Sequence, residues 1–254
     1  MILLNTRPVE RAHSLTQIFI HDDIEVIELP LLELTALPYS ADLAQLYRQL
    51  SDTQVIVVVS PTAVDVGMQY LQASQIEMSS LANVQWIAVG QATAQRLKDY
   101  GISASIPEVE TSEGMLQLPI LQNLALRQVA FWRGLGGRQF MMESLQQQGI
   151  HILNFVLYQR RCPQTAIEQF QQLSSRLQTT IEPVYVCISS EASWLNWMKL
   201  CENNPEILSK CQYLTLGERL TQLLQHQQIT GVQQLESLNP QSIRNFLLKQ
   251  KGTA

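Results

Sequence analysis

With 254 residues, 46% of them hydrophobic, the chain is long for one doubly wound domain and sufficient for two of about 100–150 residues, each with its own core. A formal charge of −5 and the absence of any Lys or Arg run argue against a dedicated nucleic-acid binder, which carries a basic face. No window reaches the roughly 18 apolar residues of a membrane span, and the opening MILLNTRPVE lacks the basic region and long apolar stretch of a signal peptide, so a cytoplasmic chain is expected.

In chain order, MILL and EVIEL read as the first two strands, followed by PLLELTALP, where Pro30 and Pro38 disfavour a helix. VIVVV follows as a strand and runs into Ser60-Pro61, a helix cap with proline at the first helical position. WIAV leads through Gly90 into a helix containing AQRLKDYG, and Ser112-Glu113 reads as a further cap. QVAFW precedes RGLGGR and the helix RQFMMESLQQQG, and IHILNFVLY is the next strand, trailing into YQRRCP. VYVCI ends at Ser189 and Ser190, YLTL ends at Gly217, and Asn239-Pro240 is the last cap. Short apolar runs buried on both faces, alternating with helices of 3.6-residue period, predict an open α/β fold with parallel sheets.

The order of these pieces repeats once. Arg7 aligns with Arg133, Ser60 with Ser189, Gly90 with Gly217 and Ser112 with Asn239, at offsets of 126 to 129 residues. Two similar domains are therefore expected. If PLLELTALP and YQRRCP are paired linker strands, near residues 30–38 and 157–163, the first domain is 1–34 plus 161–254 and the second 37–157. A simple split near residue 127 also fits the repeat.

Each joint places Ser, Thr, Gly or Asn between a strand and a helix. Such joints gather at the carboxyl edge of an open sheet, where ligands bind. Free N–H groups and partial positive charge at helix N-termini let an acidic protein hold an anion without many basic side chains. The glycines of RGLGGR permit close backbone approach, and Arg133 and Arg138 are candidates to pair with carboxylates, as is Arg7. RGLGGR lacks the Lys-Ser/Thr ending of a phosphate loop, and AVGQATA has one glycine where a dinucleotide fingerprint needs three. The four cysteines form no CxxC pair and the four histidines fall at no ligand spacing, so reduced structural thiols and no metal are expected.

The joints TRP (Thr6 to Pro8), VVVSPTAV, AVGQATAQRLKDYGI, TSEGML and WRGLGGRQFMMESLQQQGIHILNFVLYQR, in this order, resemble the uroporphyrinogen-III synthase family over nearly the whole chain. The resemblance implies two α/β domains on a two-stranded linker with the active-site cleft between them, which favours the crossover division. It implies the substrate hydroxymethylbilane, a linear tetrapyrrole with eight carboxylates, cyclised with loss of water and inversion of ring D, and no cofactor. It points to Tyr158 as the proton donor to the departing hydroxyl. Substrate-binding candidates at the joints are Arg7, Ser60, Thr62, Gly90, Thr93, Thr111, Ser112, Arg133, Gly134, Arg138, Ser189, Ser190 and Gly217. LGERLTQ departs from the family pattern, with Glu218, Arg219 and Leu220 where small residues and a threonine are usual, and Glu218 is expected to satisfy free N–H groups of its own helix. A monomer without nucleic-acid or membrane partners is expected. The competing readings are a non-catalytic two-lobed anion binder or sensor and a nucleotide-dependent transferase.

Overall fold

A computed structural model describes residues 1–123, 125–137 and 139–252. Its strands are β1 (Ile2–Asn5), β2 (Glu25–Glu28), β3 (Glu33–Ala36), β4 (Val55–Val58), β5 (Gln85–Ala88), β6 (Gln128–Gly134), β7 (His151–Arg161), β8 (Val184–Ile188), β9 (Gln212–Leu216) and β10 (Val232–Leu235). They form two five-stranded sheets, ordered β10-β9-β8-β1-β2 and β3-β7-β6-β4-β5. The chain divides into two compact units, Met1–Glu33 with Arg160–Ala254, and Leu34–Gln159. The first sheet lies in the first unit and the second, apart from the ends of β3 and β7, in the second.

Strand alternation builds both cores. In the first unit Ile2, Leu4, Val184, Val186 and Ile188 face a cluster with Phe170, Trp194, Trp197 and Tyr213. Leu3, Tyr185 and Cys187 point to the opposite face, against Leu15, Phe19, Ile243 and Leu247. In the second unit Ile56, Val58, Ala130 and Trp132 pack with Tyr47, Trp86 and Phe155, while Val55, Val57, Val129 and Phe131 pack with Met141, Met142 and Leu145. Burial on both faces is why these strands read as unbroken apolar runs.

The strands bounding the joints run parallel: β1 with β2 and β8, β8 with β9, β9 with β10, and likewise β4 with β5 and β6, and β6 with β7. The internal repeat is therefore a repeat of topology. The order β2-β1-β8-β9-β10 corresponds to β7-β6-β4-β5, and a parallel bridge from Ile87 to Ser105 stands where β10 pairs with β9. Ile2 lies opposite Glu25 and Gln128 opposite His151, the same register in both units. The joints correct the alignment by one residue in two places. Ser60 caps the helix Pro61–Ala73 and Ser190 caps Glu191–Leu200, so Ser60 corresponds to Ser190 and not to Ser189. Thr111 caps Ser112–Leu116, whereas Asn239 accepts the Ser242 N–H at the start of Pro240–Gly252, so Thr111 and not Ser112 is the partner of Asn239.

Candidate active site

Because β4 to β7 are parallel, their carboxyl ends reach one edge of the second unit. Tyr158 lies near the end of β7, where the β6–β7 register slips so that Arg133 faces Val156 but Gly134 faces Tyr158. The slip turns the tyrosine onto the backbone of Gly134. A Cβ on Gly134 would stand 2.6 Å from the Tyr158 Cζ, so only glycine admits the ring there. The Leu135 N–H donates to the Tyr158 carbonyl at 2.6 Å, and the ring is buried with 2% of its surface exposed. Its hydroxyl lies 2.9 Å from Ser60 Oγ, which also accepts the Ala63 N–H at 3.1 Å as the helix cap. Tyr158 is thus not a solvent-facing linker tyrosine.

Arg133 is buried at 6% exposure, and its guanidinium donates to the carbonyls of Gly136 and, at 3.3 Å, Gly137. Burial pushes its pKa down, and the Tyr158 phenol acts in the opposite direction. The arginine expected to meet a carboxylate instead ties its own glycine loop and sits within electrostatic reach of Tyr158. Arg138 lies outside the described residues.

Gly90 begins the helix Gln91–Asp99, but its N-terminus is occupied. Glu110 accepts the Gln91 N–H at 2.8 Å, and a Cβ on Gly90 would stand 2.3–2.5 Å from the Glu110 carboxylate. The chain places its own carboxylate where an anion is expected, a role that sequence reading gives to no residue. The acid at positions 108 and 110 is visible in PEVETSEG, but the fold-back is not. Thr93, in the first turn of that helix, is buried, with 2% of its surface exposed. Thr62 is half-buried in the first turn after Ser60, and Thr111 spends its hydroxyl on the Gly114 N–H at 3.1 Å. Replacing Glu110 with alanine is expected to lower the unfolding free energy by about 0.3–1 kcal/mol, the usual worth of an exposed anion at a helix N-terminus. An unchanged urea midpoint would show that the contact adds nothing.

The first unit carries a pocket of about 490 Å³ at the carboxyl edge of its sheet, lined by Arg7, Arg11, Ser189, Ser190, Leu216 and Asn239 among others. Three helices, beginning at Val9, Glu191 and Pro240, start beside it. Arg7 also reaches the Cys187 thiol, whose pKa burial raises to about 11. Sequence reading misses Arg11, whose only signal is its place in the first turn after TRP. Gly217 has φ +76 and precedes Glu218, whose carboxylate accepts from the Gln222 side chain at 2.8 Å. Glu218 thus lies along its helix and does not satisfy the N–H groups expected of it, while Arg219 pairs with Glu191 at 3.0 Å. Among the described residues there is no group of three or more His, Cys, Asp or Glu that would hold a metal, and no helix long and apolar enough to cross a membrane.

The family model described as "Uroporphyrinogen-III synthase HemD" matches residues 14–243. The chain belongs to the uroporphyrinogen-III synthase family. The uroporphyrinogen-III synthase of Proteus mirabilis is 30% identical over 172 residues, covering 67% of this chain and 85% of that protein. That of Salmonella typhimurium is 28% identical over 234 residues, covering 88% and 90%. Among solved structures, a mutant uroporphyrinogen III synthase from Thermus thermophilus has a TM-score of 0.64 at 13% identity, with 99% of this chain and 98% of that one covered. The enzyme from Helicobacter pylori has a TM-score of 0.59 at 15% identity, with 98% of each chain covered. At these identities the structures speak for the two-sheet α/β fold. The family match and the sequence relatives make the chain an enzyme of tetrapyrrole biosynthesis, a cyclising lyase of this type.

Proposed function

We propose that the chain converts hydroxymethylbilane to uroporphyrinogen III in the cytoplasm, as a monomer and without cofactor or metal. The observation that carries the mechanism is the Tyr158 phenol, held on Ser60 at the carboxyl edge of the second sheet. The reaction begins with ionisation. The pyrrole pushes electrons toward the hydroxymethyl carbon, the C–O bond breaks, and the departing oxygen takes a proton to leave as water. A weak acid beside that oxygen lowers the barrier, and Tyr158 fills this role. The substituted carbon of ring D then attacks the azafulvenium cation, and the spiro intermediate fragments and recloses with ring D inverted. These later steps ask the protein to hold the chain in one geometry. In the first unit, the pocket at Arg7, Arg11 and Asn239 offers cationic side chains and N–H groups suited to carboxylates.

The test uses the difference between catalysed and spontaneous closure. Hydroxymethylbilane left alone closes to the type I isomer. Incubation with the protein is expected to give type III, with or without a chelator. The same isomer ratio with and without protein would remove the enzymatic reading and favour a non-catalytic anion binder. Activity lost in chelator and restored by a metal would overturn the cofactor-free part.

A further inference from the structure

We propose that Gly134 is a positioning residue for Tyr158: the missing side chain at 134 is the seat of the phenol ring and sets where its hydroxyl stands at the carboxyl edge of the second sheet. This rests on Tyr158 acting as the proton donor.

The glycines of RGLGG serve different needs. Gly136 and Gly137 have φ of +74 and +80, a conformation that L side chains rarely adopt, so the turn itself asks for glycine there. Gly134 lies inside β6, is buried, and has no positive φ. Its φ makes no demand for glycine. What excludes a side chain is a neighbour. The three atoms nearest to a Cβ at 134 all belong to the Tyr158 ring, Cζ at 2.6 Å, Cε2 at 2.7 Å and Cε1 at 3.1 Å. The close approach that sequence reading reserves for a ligand is taken by the chain's own phenol.

The strands are built to bring the ring there. After Arg133 opposite Val156, a regular register would set Gly134 opposite Leu157, but the slip sets it opposite Tyr158. Adjacent residues of a regular strand point to opposite faces, yet Leu157 and Tyr158 are buried in one cluster with Trp132 and Phe155. A bulge re-aims a side chain in this way, and bulges are over-represented beside active sites. Backbone bonds hold the pieces together. The Leu135 N–H donates to the Tyr158 carbonyl at 2.6 Å, and the Val59 N–H, next to Ser60, donates to the Trp132 carbonyl at 3.2 Å. The phenol oxygen lies 2.9 Å from Ser60 Oγ, at the cap of Pro61–Ala73. A Cβ at 134 would displace Cζ, the atom that carries the hydroxyl, from 2.6 Å to the 3.4 Å of ordinary contact, a shift of about 0.8 Å. A misplacement of about 1 Å is enough to cost on the order of 10²-fold in rate.

Gly134→Ala, Tyr158→Phe and the Gly134→Ala/Tyr158→Phe double variant are assayed as full chains with hydroxymethylbilane. Gly134→Ala is expected to lower kcat roughly 10- to 100-fold, approaching Tyr158→Phe, with KM and product affinity little changed. With Phe at 158 no hydroxyl is left to misplace, so the double variant is expected to match Tyr158→Phe alone. Melting of Gly134→Ala, Tyr158→Leu and Gly134→Ala/Tyr158→Leu reads the seat without activity, and so stands even where Gly134→Ala folds poorly. Leucine removes the ring, so Gly134→Ala is expected to lower Tm in the parent and to leave it little changed in the Tyr158→Leu background. Parent kcat in Gly134→Ala, a double variant slowed by the product of the single effects, or an equal fall in Tm in both backgrounds would each overturn the positioning role. A raised KM at unchanged kcat would also overturn it and return Gly134 to the ligand contact expected from sequence. Full activity in Tyr158→Phe would instead overturn the reading of Tyr158 as the acid, and that result is seen without reference to any Gly134 variant.

Discussion

Tyr158→Phe is expected to slow turnover by at most about 10²-fold while leaving the isomer and the affinity for product unaltered. Removing a general acid typically costs about 10²–10⁴-fold. Hydroxymethylbilane ionises readily unaided, which places this enzyme at or below the low end. The substitution is clean for a structural reason. The ring is 2% exposed and packed against Gly134, and phenylalanine keeps every one of those contacts. What goes is the hydroxyl and its bond to Ser60, worth about 1 kcal/mol of stability. Product no longer carries the departing oxygen, so its binding has no reason to change. Inversion of ring D depends on how the chain is held, so type III should persist. Stopped-flow or quenched assays at saturating substrate, with isomer separation of the quenched product, read all three quantities. Full kcat would make Tyr158 a packing residue. Release of type I would mean that the hydroxyl also steers closure.

The fold is legible wherever burial is two-sided. VIVVV, QVAFW and VYVCI lie inside parallel sheets with apolar neighbours on both faces, and such runs cannot be mistaken for loops. The elements that escape sequence reading are the ones that burial does not mark. β10 has the sequence VQQL, with its two glutamines exposed and its valine and leucine half-buried at a sheet edge, and nothing in so polar a run announces a strand. β3 alternates half-buried and exposed residues at the other sheet's edge beside β7, and reads only as an extended stretch between prolines. The repeat survives this because it rests on the joints, and the joints are set by backbone topology more than by side-chain identity.

The candidate site is legible in kind and off by small steps in detail. Capping chemistry locates the helix starts, but Ser, Thr and Gly often stand in pairs at these joints, and sequence does not say which of two adjacent hydroxyls is the cap. That is why sequence alignment puts Ser189 where Ser190 belongs, and Ser112 where Thr111 does. Arg133 illustrates a second limit. An arginine in a glycine-rich loop looks like an anion ligand, yet carbonyls of the same loop lie within its reach, and it donates to them. Glu110 illustrates a third. A free helix N-terminus attracts any carboxylate, and one near or far in sequence competes with the ligand on equal terms. Only the path of the chain from Ser105 to Thr111 decides that Glu110 arrives at Gly90 first.

The largest loss of stability from one substitution is expected at Trp194. Its indole is fully buried in the first unit, stacks edge-on against Tyr213 with centroids 5.2 Å apart, and donates to the Gln227 side chain at 2.6 Å. Truncation to alanine removes the ring, leaves a cavity between Glu191–Leu200 and β9, and strands the Gln227 carbonyl oxygen. Trp→Ala in a close-packed core costs about 3–5 kcal/mol, a large part of the total stability of a domain. For a unit of this size that corresponds to a fall in Tm of roughly 10–20 °C. Trp194→Phe separates the two causes. It keeps an aromatic edge for Tyr213 and loses the N–H, so the smaller part of the loss, about 1–2 kcal/mol, should remain. The chain has four tryptophans, and Trp197 stays in the same core to report its unfolding by fluorescence. A Trp194→Ala variant melting within a degree or two of the parent would mean that the core around β8 and β9 collapses into the space. The close packing inferred from its burial would then not be what holds the first sheet to its helices.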